Sequence, residues 1–248
     1  MPERRDAEYL VVNLARAIRP NEVTFSGVNS VLPMAACVLA RRAYDFDFTY
    51  LSVAGGVDVF PKKLPRSSTD PALLAGTAAI FSNADFYDLA TRGKLDLIFL
   101  GAAQVDAFGR TNVSAIGDWA HPKVRLPGGG GAAVMMPVAP RVALWRSEHT
   151  TRTLVEKLEF ITAAGKTAVL VTPYAVFARD PAKNERFHLA SYRDDTDPAA
   201  IVARTGFSFE AARAVPTAPM TARERAALDA MDAFDLLENE LPRVTGLR

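Results

Sequence analysis

The chain has 248 residues, of which 49% are hydrophobic and 23% charged, and its 29 basic and 28 acidic side chains leave a formal net charge of +1. This composition is typical of an ordinary globular protein and gives no indication of a nucleic-acid or membrane-surface partner. The single Cys37 excludes an internal disulfide framework, and neither a signal peptide nor an apolar stretch of membrane-spanning length is visible. We therefore expect a cytoplasmic protein.

Histidine and cysteine usage argues against a metal site. The three histidines, His121, His149 and His188, are widely spaced and form no metal-binding motif. Cys37 lies in an apolar, helix-like run, where a packed thiol is expected rather than a nucleophile or a ligand. The sequence therefore predicts that no metal is bound.

The N-terminal half of the chain predicts alternating helices and strands. Helical spacing of apolar residues favours helices, whereas short runs rich in β-branched and aromatic residues favour strands. A capping box is expected at residues 82–85. The predicted elements are helices over residues 7–18, 32–42 and 86–92, strands over residues 23–26, 46–53 and 95–100 continuing towards 104–105, and a loop over residues 60–71.

The C-terminal half continues the same mixture of elements, and no sequence period repeats. Strands are predicted over residues 141–145 and 167–172, and helices over residues 151–164, 198–204 and 222–232, before a polar tail. Intermingled helices and strands predict an α/β fold. No composition break marks a linker, so a single domain over residues 1–248 is expected.

The most distinctive motif is the run of four glycines from Gly128 to Gly131. Glycines without a Cβ permit close approach of another molecule, and their N–H groups can surround an oxyanion. The dinucleotide fingerprint needs a following helix, which Pro137 and Pro140 would break within about two turns. No Lys-Ser or Lys-Thr follows as in a P-loop, and no GxSxG esterase motif is present. A loop that binds an acyl or phosphoryl oxygen remains, with an ordinary flexible loop as the alternative.

Several segments in a fixed order resemble one enzyme family. They are Gly101 to Asp106, Gly109 to Ser114, the glycine run with Ala132 and Ala133, His149 with residues 154–162, Val171-Thr172, Val176-Phe177, residues 205–207 and Pro216-Thr217. In this order and spacing they resemble the β subunits of family I CoA-transferases, from about residue 27 to residue 232. The resemblance implies a CoA-transferase-like α/β fold with a mainly parallel sheet flanked by helices.

The same resemblance implies function and partners. Such a chain pairs with a homologous α subunit, and the active site at their interface binds an acyl-CoA. CoA would be part of the substrate, so no separate cofactor is expected. In the transferases a glutamate attacks the thioester, and a glycine-rich loop binds its oxygen.

One departure from the family pattern concerns that glutamate. The matching turn reads Ser52-Val53-Ala54-Gly55-Gly56, so Ala54 occupies the position expected for the nucleophile. In this respect the chain is most similar to the β subunit of the ring-cleaving hydrolase of cholesterol-degrading bacteria, an α2β2 enzyme whose glutamate lies on α. That resemblance implies hydrolytic opening of the last steroid ring. The open alternatives are a transferase β subunit for a small dicarboxylate or 3-oxoacid and a non-catalytic acyl-CoA-binding subunit.

We accordingly expect no catalytic residue in this chain, and a substrate site built from loops that follow strands. His149 is a possible acid or base with a structural role as the alternative, and Arg141, Arg146 and Arg152 are possible phosphate contacts. The candidate substrate-binding residues are Gly129, Gly130, Gly131, Asn29, Ala54, Gly55, Gly56, Gln104 and Asn112.

Overall fold

The structure, a computed structural model, describes residues 2–231, 233, 236, 237 and 239–241. Its helices are α1 (Pro2–Ala15), α2 (Val31–Ala43), α3 (Asn83–Thr91), α4 (Ala132–Val138), α5 (Pro198–Arg204) and α6 (Ala222–Asp229). Its strands are β1 (Val23–Ser26), β2 (Thr49–Ser52), β3 (Gly56–Val57), β4 (Ala79–Ile80), β5 (Leu97–Gly101), β6 (Gln104–Asp106), β7 (Thr111–Asn112), β8 (Ala115–Ile116), β9 (Val124–Arg125), β10 (Arg141–Trp145), β11 (Leu154–Val155), β12 (Thr167–Val171), β13 (Ala175–Ala178), β14 (His188–Tyr192) and β15 (Val215–Pro216).

A sheet of ten strands organises the described part of the chain, in the order β15-β14-β13-β12-β10-β5-β1-β2-β3-β4. Its central strands β2, β1, β5, β10 and β12 are all parallel, whereas β3 and β13 join the two ends antiparallel. From β1 the chain first adds β2 on one side, and it then adds β5, β10 and β12 on the other. The order of the strands therefore reverses between β1 and β5, where α/β proteins commonly form a ligand crevice.

Helices and loops cover both faces of this sheet. Along β5 the side chains alternate, so Leu97 and Phe99 pack with α1 and α2 whereas Ile98 and Leu100 pack with α3 and α4. Both faces of a parallel sheet are normally buried in this way. The predicted α/β fold with a mainly parallel sheet flanked by helices is confirmed. Within the described ranges, no helix is long and apolar enough to cross a bilayer.

Most predicted elements are present with shifted ends. The predictions for residues 23–26, 141–145 and 198–204 match β1, β10 and α5, and the capping box at Ser82 and Asp85 is formed. The strand predicted to continue towards residue 105 instead ends at Gly101, and β6 joins β7 and β11 in a separate sheet. The helix predicted to reach residue 232 ends at Asp229, and residue 232 lies outside the described residues.

The helix predicted over residues 151–164 is wrong. Leu154 and Val155 form β11, which pairs in parallel with β6. Just before it, Thr153 donates its hydroxyl to the carbonyl oxygens of Glu148 and Thr150. Such local hydrogen bonds offer the backbone an alternative to a helix, and periodicity alone did not register them.

Glu224 of α6 links the segments that follow α1 and α2 through a buried carboxylate. It is 2% exposed and accepts hydrogen bonds from the guanidinium of Arg16, the residue after α1, at 2.8 and 2.9 Å. The Tyr44 hydroxyl beyond α2 donates to it at 2.9 Å, and the Thr221 N–H donates at 2.8 Å in a capping box. Burial opposes ionisation, but these donors outweigh it and lower the pKa of Glu224 to about 2.

We predict that Glu224→Gln lowers the free energy of unfolding by about 3 kcal/mol at pH 7, since it removes the partner of the partly buried Arg16. In the wild type, this carboxylate's contribution is present above pH 4.5 and is lost as the pH falls towards 2, because its folded pKa is depressed. The free energy of unfolding, measured by urea unfolding from pH 7 to pH 3, should therefore fall less steeply at acid pH in the variant than in the wild type.

The matched control is Glu156→Gln, which removes the exposed ion pair with Arg186. Exposed pairs contribute about 0–1 kcal/mol, so this variant should remain near wild-type stability. Equal losses in the two variants would contradict the special role of Glu224.

Candidate functional site

A cleft of about 510 Å³ opens where the strand order reverses. It lies at the carboxyl ends of the parallel strands β1, β5 and β10, and the segments that follow these strands line it. The α3 helix and the glycine loop, defined as residues Gly128 to Gly131, form the opposite wall. The residues that line the cleft include Val28, Asn29, Phe86, Tyr87, Leu100, Gly128, Gly129, Gly130, Gly131, Met135, Trp145, Arg146, Ser147 and Glu240.

The glycine loop presents backbone donors to this cleft. The Gly128 N–H is already used, since it donates to the Val113 carbonyl oxygen at 2.8 Å. Gly130 has a φ of 47° and is followed by Gly131 in the right-handed helical conformation. Successive residues of opposite hand direct their N–H groups to the same side and form an anion-binding concavity. Among the described residues, no acceptor takes the N–H groups of Gly129, Gly130 and Gly131.

Thr162 holds the glycine loop from behind. Its hydroxyl accepts the Val113 N–H at 3.0 Å and is hydrogen-bonded to the Ser114 hydroxyl at 2.7 Å. A Cβ at Gly129 would lie 2.8 Å from the Thr162 methyl group, so this position tolerates only glycine without a shift. The loop is thus fixed by packing and hydrogen bonds, which argues against the flexible-loop alternative.

The loop enters α4, a helix of only seven residues that contains Pro137 and ends at Val138. The short helix agrees with the sequence argument that Pro137 and Pro140 would end it within about two turns. A dinucleotide-binding unit needs a full helix behind its glycines, so the structure also disfavours that interpretation.

Tyr87 of α3 adds a side-chain donor beside the loop. A Cβ placed on Gly131 would lie 2.5 Å from the Tyr87 hydroxyl oxygen. Within the part of the chain that the structure describes, this hydroxyl has no hydrogen-bond partner. Its ring is fixed edge-on against Phe86, whose ring stacks on Phe25 of β1. The hydroxyl is therefore available to a ligand oxygen held by the glycine loop.

Asn29 and Arg146 are further polar groups of the cleft. Asn29 lies between β1 and α2 with a left-handed φ of 53°, and it is exposed. Arg146 follows β10, and one of its terminal nitrogens lies 3.4 Å from a Glu148 oxygen. Burial lowers the pKa of Arg146, and the Glu148 carboxylate opposes that shift. Its buried Nε has no partner among the described residues.

Glu240 brings a carboxylate to the same cleft from the C-terminal segment. The sequence predicts only a polar tail here, but Leu237 and Leu241 are 1% and 6% exposed and belong to the core cluster that contains α1 and α2. Their spacing of four residues is the sequence signal for this buried turn, although it is too short to predict one by itself. Burial raises the pKa of the Glu240 carboxyl group.

The turn after β2 contributes Val53 to the cleft lining, whereas the candidates Ala54, Gly55 and Gly56 are not among the lining residues. Packing explains both glycines. Gly55 has a φ of 99°, and a Cβ there would lie 2.9 Å from the Phe81 carbonyl oxygen. At Gly56 a Cβ would lie 2.7 Å from the Val59 side chain. Ala54 carries no carboxylate and donates its N–H to the Ser52 hydroxyl.

The candidates Gln104 and Asn112 also lie outside the cleft lining. Asn112 is fully buried, and its amide donates to the Gln104 side chain at 3.0 Å and to the Ala115 carbonyl at 2.6 Å. Gln104 donates in turn to the Arg152 carbonyl. Both amides therefore connect the β6–β7 sheet to its neighbouring loops. Of the predicted site residues, the structure brings together Asn29, Gly129, Gly130 and Gly131.

His149 is enclosed between two threonines. Its Nδ1 is hydrogen-bonded to the Thr172 hydroxyl at 2.8 Å and its Nε2 to the Thr205 hydroxyl at 2.9 Å, and the residue is 4% exposed. Burial, with a smaller contribution from the Arg204 charge, lowers the pKa of His149 to about 3. A neutral imidazole with both nitrogens in use fits the structural alternative better than an acid–base role.

The two other candidate arginines, Arg141 and Arg152, are not among the residues that line the cleft. Arg141 pairs with Glu22 and donates to the Ala17 carbonyl, whereas the exposed Arg152 pairs with Glu148. Among the residues that the structure describes, no three or more His, Cys, Asp or Glu side chains are grouped as metal ligands. From the described part of the chain, the cleft therefore has backbone and hydroxyl donors, one arginine and one carboxylate.

Comparison with known proteins identifies relatives of this arrangement. Residues 7–190 match the family model described as Coenzyme A transferase. One subunit of the 3-oxoadipate CoA-transferase of Pseudomonas knackmussii is 31% identical and aligns over 91% of this chain and 92% of its own. One subunit of the glutaconate CoA-transferase of Acidaminococcus fermentans is 26% identical over 84% of this chain and 85% of its own.

Solved structures share the fold over nearly the whole chain. The decarboxylase AibA/AibB matches with a TM-score of 0.88 and 32% identity, over 95% of this chain and 98% of the other. IpdAB of Rhodococcus jostii RHA1 matches with a TM-score of 0.76 over 96% and 98% of the two chains. At 18% identity, the IpdAB match shows the fold alone.

We predict that the His149 imidazole stays neutral in the folded protein down to about pH 4, which NMR of the ring nitrogens would measure. Because its folded pKa lies below the ordinary 6.5, its contribution to stability is present above pH 6.5 and is lost as the pH falls towards 3. Between pH 6.5 and pH 4.5 this loss is about 2 kcal/mol in the wild type and absent in His149→Gln.

His121→Gln is the control, because that side chain is 94% exposed. It should leave the pH dependence of stability unchanged. An imidazole of His149 that titrates near pH 6.5 would contradict the structural role.

Proposed function

Because the chain belongs to the coenzyme A transferase family, we propose that it is the β subunit of a heteromeric enzyme that cleaves a carbon–carbon bond in a CoA thioester. A homologous α subunit would complete the site and supply the glutamate that is missing at Ala54. CoA would enter as part of the substrate, so the reaction would need no separate cofactor.

The proposal rests on one observation. The cleft holds several hydrogen-bond donors that can bind an oxygen, but residue 54, where the family pattern has its nucleophilic glutamate, is an alanine. The free N–H groups of Gly129, Gly130 and Gly131 and the Tyr87 hydroxyl converge on one wall of the cleft. Donors fixed in this way stabilise negative charge on a thioester oxygen better than water does, because they need no reorganisation.

Cleavage of a carbon–carbon bond next to an acyl thioester places such charge on that oxygen. When the bond breaks, its electron pair moves into the acyl group and becomes an enolate, whose negative oxygen is the former thioester carbonyl oxygen. Each donor that is stronger towards the enolate than towards the carbonyl lowers the barrier. The glycine loop and Tyr87 therefore suit this reaction.

CoA transfer makes a different demand, since a carboxylate must be acylated and must then carry CoA as a thioester. The family resemblance places that carboxylate at residue 54, where this chain has a methyl group. Ala54 is also outside the residues that line the cleft. These two facts favour a reaction in which this subunit binds the thioester oxygen and forms no covalent intermediate at that position.

The specific reaction that we propose is hydrolytic opening of the last steroid ring in an acyl-CoA, as the sequence resemblance suggests. The α-subunit glutamate would act as a base and activate water, which attacks the ring ketone. The cleft supports a bulky apolar acyl group, since Phe86, Leu100, Met135 and Trp145 line it. Its volume of about 510 Å³ also lies in the range of pockets that hold drug-sized ligands.

A second candidate is decarboxylation of an acyl-CoA, which is favoured by the 32% identity with the decarboxylase AibA/AibB. Loss of CO2 leaves the same enolate, and Arg146 at the cleft could pair with the departing carboxylate. Transfer of CoA to a small dicarboxylate or 3-oxoacid and a non-catalytic acyl-CoA-binding role are the remaining alternatives.

Exposed apolar side chains near the cleft support the expected α partner. Val28 lines the cleft and is 69% exposed, and Trp119, stacked on Phe160, is 51% exposed. Val134 of α4 and Ile161, next to the Thr162 that supports the glycine loop, are also exposed. Exposed large apolar side chains of this kind are typical of a surface that another subunit covers. An α2β2 assembly is the proposed form.

The test is to purify the chain with its α partner and to incubate the complex with a ring-ketone acyl-CoA derived from a steroid, with and without acetate as acceptor. We expect an acyl-CoA heavier by one water molecule, and no acetyl-CoA. Released CO2 would support the decarboxylase candidate instead, whereas CoA transferred to acetate would overturn the proposal. A chain that is stable and monomeric beside the co-expressed α chain would also overturn it.

We further predict that Tyr87→Phe lowers kcat by about 10²-fold and changes KM by less than about threefold, since one oxyanion donor is lost while the ring is kept. Steady-state kinetics of the complex would measure both constants. Tyr192→Phe, the same change on β14 away from the cleft, should have no effect. Wild-type kinetics in Tyr87→Phe would exclude its hydroxyl from the oxygen-binding set.

A further inference from the structure

We propose that Glu240 is a catalytic residue of this chain, which exchanges a proton with the acyl carbon that carries the negative charge. The inference rests on the proposed function, because it assumes a CoA thioester in the cleft. It extends that function, since neither the family pattern nor the sequence places a catalytic carboxylate in the C-terminal segment.

The position of Glu240 is fixed by the residues on either side of it. Leu237 and Leu241 are buried in the core cluster of α1 and α2, and the Glu240 N–H donates to the Leu237 carbonyl oxygen at 3.2 Å. These contacts form one turn whose apolar residues face the core. Glu240 itself lines the cleft, as do the glycine loop, Arg146 and Ser147.

The carboxylate has no ion pair or hydrogen bond to a described residue that would explain it as structural. Elsewhere in the described ranges, partly buried carboxylates are satisfied, as Glu8 is by Arg225 and Glu224 by Arg16. A partly buried acid without such a partner is costly, and groups of this kind concentrate at functional sites.

The environment of Glu240 raises its pKa and so favours a role in proton transfer. Among the residues that the structure describes, the other ionisable side chains that line the cleft are Arg146 and Tyr87, and Arg146 is paired with Glu148. Burial is the cause that raises the pKa of Glu240 above its ordinary value of 4.5. A carboxyl group with a raised pKa is a better acid–base catalyst at neutral pH than an exposed one.

In the proposed step, Glu240 transfers one proton to the enolate carbon. After the carbon–carbon bond breaks, its electron pair lies in the enolate, with the charge on the oxygen held by the glycine loop. Protonated Glu240 gives its proton to the enolate carbon, the carbonyl forms again, and Glu240 is left as a carboxylate. In reverse, the carboxylate removes a proton from that carbon. The α-subunit glutamate keeps the separate task of activating water.

The reverse direction provides an assay that needs no turnover. Glutaconyl-CoA, the probe, has C4 protons acidified by conjugation with its thioester. Removing one of them places the negative charge on the same thioester oxygen, and C4 becomes the terminal carbon of the extended enolate. In D2O, we expect the wild-type complex with the α subunit to exchange these protons for deuterium, which mass spectrometry detects. Glu240→Gln should slow the exchange by about 10²-fold or more, with the dissociation constant for the probe changed by less than about threefold. Glu240→Asp should retain part of the rate.

The pH profile separates a catalytic from a structural role. Wild-type exchange should fall on the acid side, because protonated Glu240 cannot accept a proton, and this limb should be absent in the residual rate of Glu240→Gln. Glu185→Gln, an exposed carboxylate away from the cleft, is the matched control and should behave as the wild type.

Three results would overturn the inference. Wild-type exchange in Glu240→Gln would exclude Glu240 and leave the proposed function intact. Loss of exchange together with a lower melting temperature or lost probe binding would show a structural role. A wild-type complex that binds no acyl-CoA, whether glutaconyl-CoA or the steroid-derived thioester, would overturn the proposed function as well.

Discussion

The reversal of strand order between β1 and β5 is the constraint on which the site depends. Parallel strands present their carboxyl ends at one edge, and a reversal leaves the loops on either side diverging from each other. Here the loop after β1 leads to α2 on one face of the sheet, whereas the segments that follow β5 and β10 lead towards the opposite face. The cleft fills the space between them, so residues that are distant in sequence meet there.

The chemistry of this cleft is divided between backbone and side chains. Gly129 to Gly131 can offer N–H groups only because Thr162 and Val113 hold the loop in one conformation. Donors that are fixed before the substrate arrives cost nothing to orient during the reaction. The glycines therefore need rigid support, and the polar groups around residues 113 and 162 supply it rather than contact the ligand.

The sequence predicted the regular core and the glycine loop well, for physical reasons. Strands such as β1 and β10 are short apolar runs with clear ends, and four adjacent glycines have few structural uses. It failed where tertiary pairing decides, as at Leu154 and Val155, whose helical spacing is overridden by pairing with β6. Asn112 and Gln104 have the composition of a binding site, but only the structure shows that each amide hydrogen-bonds within the chain.

The sequence reveals that the family glutamate is missing at Ala54, whereas only the structure reveals that Glu240 reaches the cleft. A family motif predicts the nucleophile at a single residue. Because that residue is Ala54 here, the motif alone predicts a chain without a catalytic group. A cleft, however, can receive a carboxylate from any segment that the fold brings to it, and Glu240 arrives nearly 190 residues later on a turn anchored by Leu237 and Leu241. Covalent transfer needs a carboxylate in line with the thioester, whereas proton transfer needs only reach and a suitable pKa. A site that has lost the carboxylate for covalent transfer can therefore still transfer a proton, with the same glycine loop binding the oxygen.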